Sequence, residues 1–182
     1  MGDLTLVSDG RSLTGLRFGG QALLGKSQVR DCGDAALPVF ADTCRWLDIY
    51  FAGCDPGFLP QLAPEGTPFR KEVWDLLLRI PYGETTSYGA LAGIIASKLG
   101  KDKMSAQAIG GAVGHNPIPI IIPCHRVIAA DGSIGGFSAG IERKAWLLSR
   151  EGQIAAGCLK GFATGVSEGG DRLSVREQNF QA

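Results

Sequence analysis

The sequence predicts a mixed α/β protein built from two small units. Three observations carry this. Two short apolar runs, 4–7 and 13–18, flank the turn signal Ser8-Asp9-Gly10 and read as a β-hairpin. A stretch rich in proline and glycine, 54–68, separates that region from the rest of the chain. Beyond it come two short helical segments joined by a charged turn, the pattern of a helix-turn-helix. A length of 182 residues accommodates one domain or two small ones.

Taken in order, the hairpin is followed by a polar segment, 25–34, read as a loop. Over 37–51, Phe40, Ala41, Cys44, Leu47 and Phe51 recur at three and four, which predicts an amphipathic helix closed by Gly53. The 54–68 stretch is the crossing to the second unit. Thr67 then caps a helix with Pro68 at its first position. Phe69, Val73, Trp74, Leu77 and Leu78 form its apolar stripe, and Pro81 stops it. Thr86-Ser87 precedes a helix over 88–99, ended by Gly100. Ser105 caps the next, 106–114. Asn116-Pro117 closes the pair and leads into the apolar run 118–122. The glycines 132, 135, 136 and 140 mark a loop, and 142–150 is the last clear helix, with Trp146 and Leu147 facing inward. Beyond Gly152 periodicity is lost, and 153–182 reads as a mobile tail. The expected division is 1–63, 64–152 and that tail.

Hydrophobic residues make up 45% and charged residues 20%, ordinary globular usage that argues against wholesale disorder. Eighteen basic and eighteen acidic residues cancel, so the chain does not hold a polyanion by bulk charge. The charge is unevenly spread. Residues 1–63 carry five basic and seven acidic groups, whereas 64–152 carry ten and eight, so a small positive excess falls on the second unit and any polyanion held there is bound weakly and salt-sensitively. No apolar run approaches the ~18–20 residues that span a bilayer. The first residues lack the pattern of a signal peptide, and a cytoplasmic protein is expected.

The five cysteines, an odd number, do not make a disulfide framework. With only His115 and His125, no His-rich zinc site is expected. Cys44 reads as a core residue of its helix, and Cys32, Cys54 and Cys158 as ordinary thiols. Cys124 differs, because Pro123, His125 and Arg126 crowd it at the end of an apolar run. Only a thiolate is a strong nucleophile, and a nearby imidazole lowers a thiol's pKa. Neighbouring side chains on an extended strand point to opposite faces, so contact between Cys124 and His125 requires a turn or a bridging water. The small residues of Ser105-Ala106-Gln107-Ala108-Ile109-Gly110-Gly111-Ala112 suit either tight helix packing or close approach to a nucleic-acid groove.

Ile122-Pro123-Cys124-His125-Arg126-Val127 resembles the signature of the O6-alkylguanine-DNA alkyltransferases, the methylated-DNA–protein-cysteine methyltransferase family. Three further blocks agree: Pro81-Tyr82-Gly83-Glu84-Thr85-Thr86-Ser87-Tyr88, Gly110-Gly111-Ala112-Val113-Gly114-His115-Asn116-Pro117, and Arg143-Lys144-Ala145-Trp146-Leu147-Leu148-Ser149-Arg150-Glu151-Gly152. The resemblance covers about residues 4–152. It implies a ribonuclease-H-like first domain and a winged-helix-like second domain whose recognition helix enters the minor groove, where readout is degenerate.

The resemblance also implies an activity. Such proteins move an alkyl group, typically methyl, from O6 of guanine in duplex DNA to their own cysteine, once per molecule and without a cofactor, after flipping the base out of the stack. Cys124 would be the acceptor, His125 the base acting through a water, and Glu151 the carboxylate orienting the imidazole. Tyr88 would donate toward N3 of the leaving base, and Asn116 would be the hinge behind the recognition helix. The carbonyls of Cys124 and Val127 would accept from the exocyclic amine, and the Ser138 N–H would face O6. Ser105, Ala106, Gln107, Ala108 and Arg126 are the DNA-contact candidates. The expected partner is double-stranded DNA carrying O6-alkylguanine, with O4-alkylthymine a second lesion to consider, and the protein is expected to be a monomer.

The sequence departs from the family in places. Gln107 stands where an arginine is frequent, which predicts a weaker or altered base flip. Phe137 replaces a common tyrosine. Ala139 replaces a common glycine, and its methyl would narrow the pocket mouth. The first strand is short, and 153–182 matches nothing in the family. Three other classes are weighed: a module that binds alkylated guanine without repair, a transcriptional regulator, and a cysteine hydrolase. The family's non-repairing relatives lack the cysteine. The chain is too short and too poor in cysteine for a fused metal sensor. A hydrolase would turn over repeatedly.

Overall fold

The structure is a computed structural model that describes residues 2–19, 28–31, 37–152 and 175–179. It divides into two compact units: residues up to Pro64 together with the C-terminal strand, and residues from Glu65 onward through Gly152.

In the first unit, β1 (Leu4–Ser8) and β2 (Leu13–Phe18) form the predicted antiparallel hairpin, with Leu4 opposite Phe18 and Leu6 opposite Leu16. Asp9 makes the turn, its carboxylate accepting the N–H groups of Arg11 and Ser12. Gly10, at φ 99°, takes the left-handed conformation that a side chain would resist. Leu4, Leu6, Leu13, Leu16 and Phe18 are buried, and helix α1 (Pro38–Phe51) packs on both strands. The buried face of α1 is rotated from the predicted stripe. It consists of Val39, Phe40, Thr43, Trp46, Leu47 and Tyr50, while Ala41 is exposed and Cys44 only half-buried. The stacked rings of Trp46 and Tyr50, 5.2 Å apart, supply more apolar area than Ala41 and Cys44 could.

Two strands lie where none was expected. β3 (Gln28–Asp31) falls inside the segment read as a loop. β6 (Val175–Asn179) falls inside the segment read as a mobile tail, and corrects that reading for these five residues. The sheet order is β2-β1-β6-β3, with β6 parallel to β1 and antiparallel to β3. Val-Arg-Glu-Gln-Asn shows no apolar alternation. Its place is set by backbone ladders on both edges, which sequence periodicity does not register. The remainder of 153–182 lies outside the described residues.

In the second unit, Thr67 caps α2 (Pro68–Leu77) through its hydroxyl, which accepts from the Arg70 N–H. β4 (Thr86–Ser87) leads directly into α3 (Tyr88–Lys98), and Ser87 caps that helix. A charged turn joins α3 to α4 (Ala106–Gly114), capped by Ser105. The Trp74 indole, fully buried, donates to the Ala112 carbonyl at 2.9 Å and so ties α2 to α4. β5 (Val127–Ile128) pairs in parallel with β4. The run 118–122 is buried throughout but is a turn, not a strand, with Ile120 held at φ 76°. Helix α5 (Ile141–Arg150) starts at Gly140, whose φ of 101° only glycine adopts without strain. Its inward face is Lys144, Ala145, Leu147 and Leu148; Trp146 is half-buried, with the Arg150 guanidinium over its ring. Among the described residues, no helix is long and apolar enough to cross a membrane.

Candidate active site

Three elements of the second unit converge on Cys124. The buried turn 118–122 delivers it, and Asn116 staples that turn: its amide donates to the Ile122 carbonyl at 2.7 Å and its carbonyl accepts from the Ile118 N–H at 3.0 Å. Cys124 then opens a single 3-10 turn, Cys124–Arg126. A turn rather than an extended strand therefore sets the spacing between Cys124 and His125.

His125 is completely buried. Its Nε2–H donates to Glu151 Oε1 at 2.8 Å, and Glu151 sits at the C-cap of α5, also buried. A carboxylate only accepts, so the ring hydrogen is on Nε2. Glu151 is engaged at both oxygens. Arg126 donates from Nε to Oε2 at 2.8 Å and from Nη2 to Oε1 at 3.1 Å, and the Gly83 N–H reaches Oε2 at 3.1 Å. These donors hold the Glu151 carboxyl down at about 2, against the cost of burial. Arg126 completes its contacts at the Ile80 carbonyl, 2.7 Å away, with its guanidinium over the Tyr82 ring. This corrects the sequence expectation for Arg126. It is buried and occupied inside the unit rather than turned outward to DNA. A buried glutamate needs a paired cation, and Arg126 supplies it in the forked geometry that matches a carboxylate.

A cavity of about 270 Å³ opens above the sulfur, lined by Tyr88, Gly110, Val113, Gly114, Cys124, Gly136, Phe137 and Ser138. Tyr88, from the first turn of α3, lies between Gly110 and Gly135. A Cβ at Gly135 would stand 3.7 Å from the Tyr88 hydroxyl, and Gly135 also needs its φ of 70°. Burial raises the Tyr88 phenol's pKa, and Cys124 adds to this. Phe137 and Ser138 line the cavity, and Ala139 does not. Ala139 is buried, and its carbonyl accepts from Arg143 Nη1 at 2.7 Å. The expected narrowing of the mouth by the Ala139 methyl is corrected accordingly.

Burial pushes the Cys124 thiol up to about 11, opposed by a hydrogen bond from Asn116 and by the charge of Lys144. Lys144 is the residue that sequence reasoning missed. Its side chain is fully buried, and its ammonium donates to the Val127 carbonyl at 2.6 Å and to the Gly136 carbonyl at 3.3 Å. Desolvation lowers it to about 8. A lysine on the inward face of α5, flanked by Ala145, Leu147 and Leu148, was the available signal. Val127 was expected to offer its carbonyl to a base; that oxygen already accepts from Lys144. Ser105, Ala106, Gln107 and Ala108 are exposed on the first turn of α4. Among the described residues, no group of acidic, histidine and cysteine side chains could hold a metal ion.

A helix-turn-helix unit that buries a cysteine beside a histidine–carboxylate pair, under a pocket edged by a tyrosine, defines a protein with a nucleophilic cysteine. Residues 68–153 match the family model described as the DNA-binding domain of 6-O-methylguanine DNA methyltransferase. The methylated-DNA–protein-cysteine methyltransferase of Methanosarcina acetivorans is 41% identical over 154 residues, 84% of this chain and 93% of that protein. The protein of the same name from Mycobacterium tuberculosis is 43% identical over 151 residues, 83% of this chain and 87% of that one. The M. tuberculosis OGT crystal structure in complex with DNA superposes with a TM-score of 0.64 at 36% identity, covering 85% of this chain and 96% of that one. The chain belongs to the methylated-DNA–protein-cysteine methyltransferase family.

Proposed function

We propose that this protein repairs DNA by direct reversal, taking the alkyl group of O6-alkylguanine in duplex DNA onto the sulfur of Cys124. The observation that carries the reading is the placement of that sulfur. It is buried at the floor of a cavity edged by Tyr88, one residue from an imidazole held by Glu151. Family membership supports the same activity.

The free protein holds Cys124 as a thiol, so the thiolate forms when the base is bound. The thiol proton passes through a water to the His125 ring. The sulfur attacks the alkyl carbon, an S–C bond forms, and the C–O6 bond breaks with its electron pair going to the guanine. Tyr88 donates toward N3 of that leaving base, and the proton held by His125 balances the exchange, leaving neutral guanine and a thioether. Lys144 and the Asn116 amide stabilise the transient thiolate. The thioether is not reversed, so each molecule acts once. Base flipping costs a few kcal/mol, drawn from binding along α4. Ser105, Ala106, Gln107 and Ala108 are its DNA-facing residues, and the Ser138 N–H faces O6. We read the second unit as winged-helix-like and the first as ribonuclease-H-like, with the protein acting as a monomer in the cytoplasm.

Intact-mass analysis after mixing with O6-methylguanine duplex tests this. The expected result is one methyl group per chain, in one-to-one stoichiometry, and none on Cys124→Ala. A folded, reduced protein that gains nothing would falsify the proposal, and repeated release of product per chain would indicate a hydrolase instead.

A further inference from the structure

His125 can accept a proton only while it is uncharged, yet it lies against a buried carboxylate. A buried Glu–His pair by itself favours the charged imidazolium, because the carboxylate has no other partner. In this structure it has one. Arg126 reaches both oxygens of Glu151, at 2.8 and 3.1 Å, from the residue next to His125. The Gly83 N–H takes a further position on Oε2. The guanidinium is itself fixed by the Ile80 carbonyl and the Tyr82 ring.

We infer that Arg126 is a positioning residue for the reaction: it locks the Glu151 carboxylate in the orientation that fixes the His125 ring, and balances its charge so that His125 rests neutral and able to take the thiol proton. The inference rests on the reading of His125 as the proton acceptor. Glu151 approaches from the end of α5, Arg126 from the same 3-10 turn, and Lys144 from the middle of α5, with the Cys124 thiol adjacent. Burial is the largest influence on His125 and lowers its pKa; Glu151 opposes this, and the two cations reinforce it. A positive charge on the ring would join those of Arg126 and Lys144 and leave three cations facing one carboxylate, away from water. Removing Arg126 deletes one cation and both of its hydrogen bonds to Glu151, so the imidazolium becomes the better-matched state.

The chain has only two histidines, which makes the test direct. The ring signals of His115 and His125 are followed by NMR against pH in the parent, Arg126→Gln and Arg126→Lys, without DNA. His115 is exposed and serves as the reference. In Arg126→Gln, the His125 titration is expected to move up by about one pH unit or more, a tenfold change in proton affinity. The acid limb of the single-turnover methyl-transfer profile should move with it. Arg126→Lys keeps the charge but cannot fork onto both oxygens. Its His125 titration should stay near the parent's while transfer slows by about tenfold. A folded Arg126→Gln protein with His125 titration and rate profile unchanged overturns the inference. If that variant does not fold, Arg126→Lys decides: an unchanged transfer rate overturns it. If the parent itself takes up no methyl group, the proposed function falls, while the titrations still decide the role of Arg126.

Discussion

Lys144 sends its ammonium into the interior of the second unit and donates to the Val127 carbonyl at 2.6 Å. The side chain is fully buried, and its hydrogen-bond acceptors among the described residues are the carbonyls of Val127 and Gly136. The group whose charge it meets is Cys124. The pair therefore resists ionisation of the thiol by burial and favours it by charge, which suits a nucleophile kept dormant until substrate enters.

This arrangement predicts a pH dependence of stability. Lys144 is lowered to about 8 when folded, from an ordinary 10.5, so between those values the unfolded chain binds the extra proton. Stability then rises with pH in that window. Cys124 is raised to about 11 from 9, so from pH 9 upward it acts in the opposite sense. The net gain from this pair is confined to pH 8–9 and amounts to about 1 kcal/mol. Denaturant unfolding at the two pH values should show it in the parent, and Lys144→Met should flatten it. The same variant should transfer methyl groups more slowly, because the thiolate loses its cation.

Glu151 predicts the acid limb. Its folded pKa, about 2, lies below the ordinary 4.5, so its contribution is complete above pH 4.5 and is lost as pH falls toward 2. The shift corresponds to about 3 kcal/mol. Glu151→Gln should lose stability of that order at pH 7 and show a shallower acid transition by circular dichroism. A variant as stable as the parent at both pH 7 and pH 2 would contradict the assignment.

β6 predicts an effect of the C-terminal segment on the first unit. Among the described residues, β3 pairs only with β6, and β6 covers the edge of β1 that β2 leaves open. Truncation after Gly152 should raise hydrogen exchange over Leu4–Ser8 by tenfold or more on the order of 1.4 kcal/mol per decade, while α2 and α4 keep their protection. Unchanged exchange over β1 would show that β6 contributes nothing to that sheet.

Gln107 predicts a gain of function in binding. It is exposed on the first turn of α4 and carries no charge. Gln107→Arg should tighten duplex binding and steepen the dependence of log K on log salt by about 0.9, the effect of one more phosphate contact. Fluorescence anisotropy across a salt series measures both. An unchanged slope would place the residue away from the backbone.

The sequence alone determined much of the local structure and pointed to the chemistry. Pro123-Cys124-His125 marked Cys124 as the candidate nucleophile, and Thr67, Ser87 and Ser105 marked helix starts that the structure keeps, because capping is a local matter of one hydroxyl and one N–H. Apolar periodicity located α1 and α2, since a helical face is also read from near neighbours. What depended on distant partners had to come from the fold. Arg126 looks like a DNA-binding cation in the sequence and becomes the clamp on Glu151, 25 residues away. Lys144 carried no assigned role in the sequence, and the fold buries it with its ammonium on the carbonyls of Val127 and Gly136. Val175–Asn179 looks like tail and becomes an inner strand, through backbone hydrogen bonds that any side chains permit. In each case the deciding energy is the pairing of a polar group removed from water, and the partner is known only once the chain has folded.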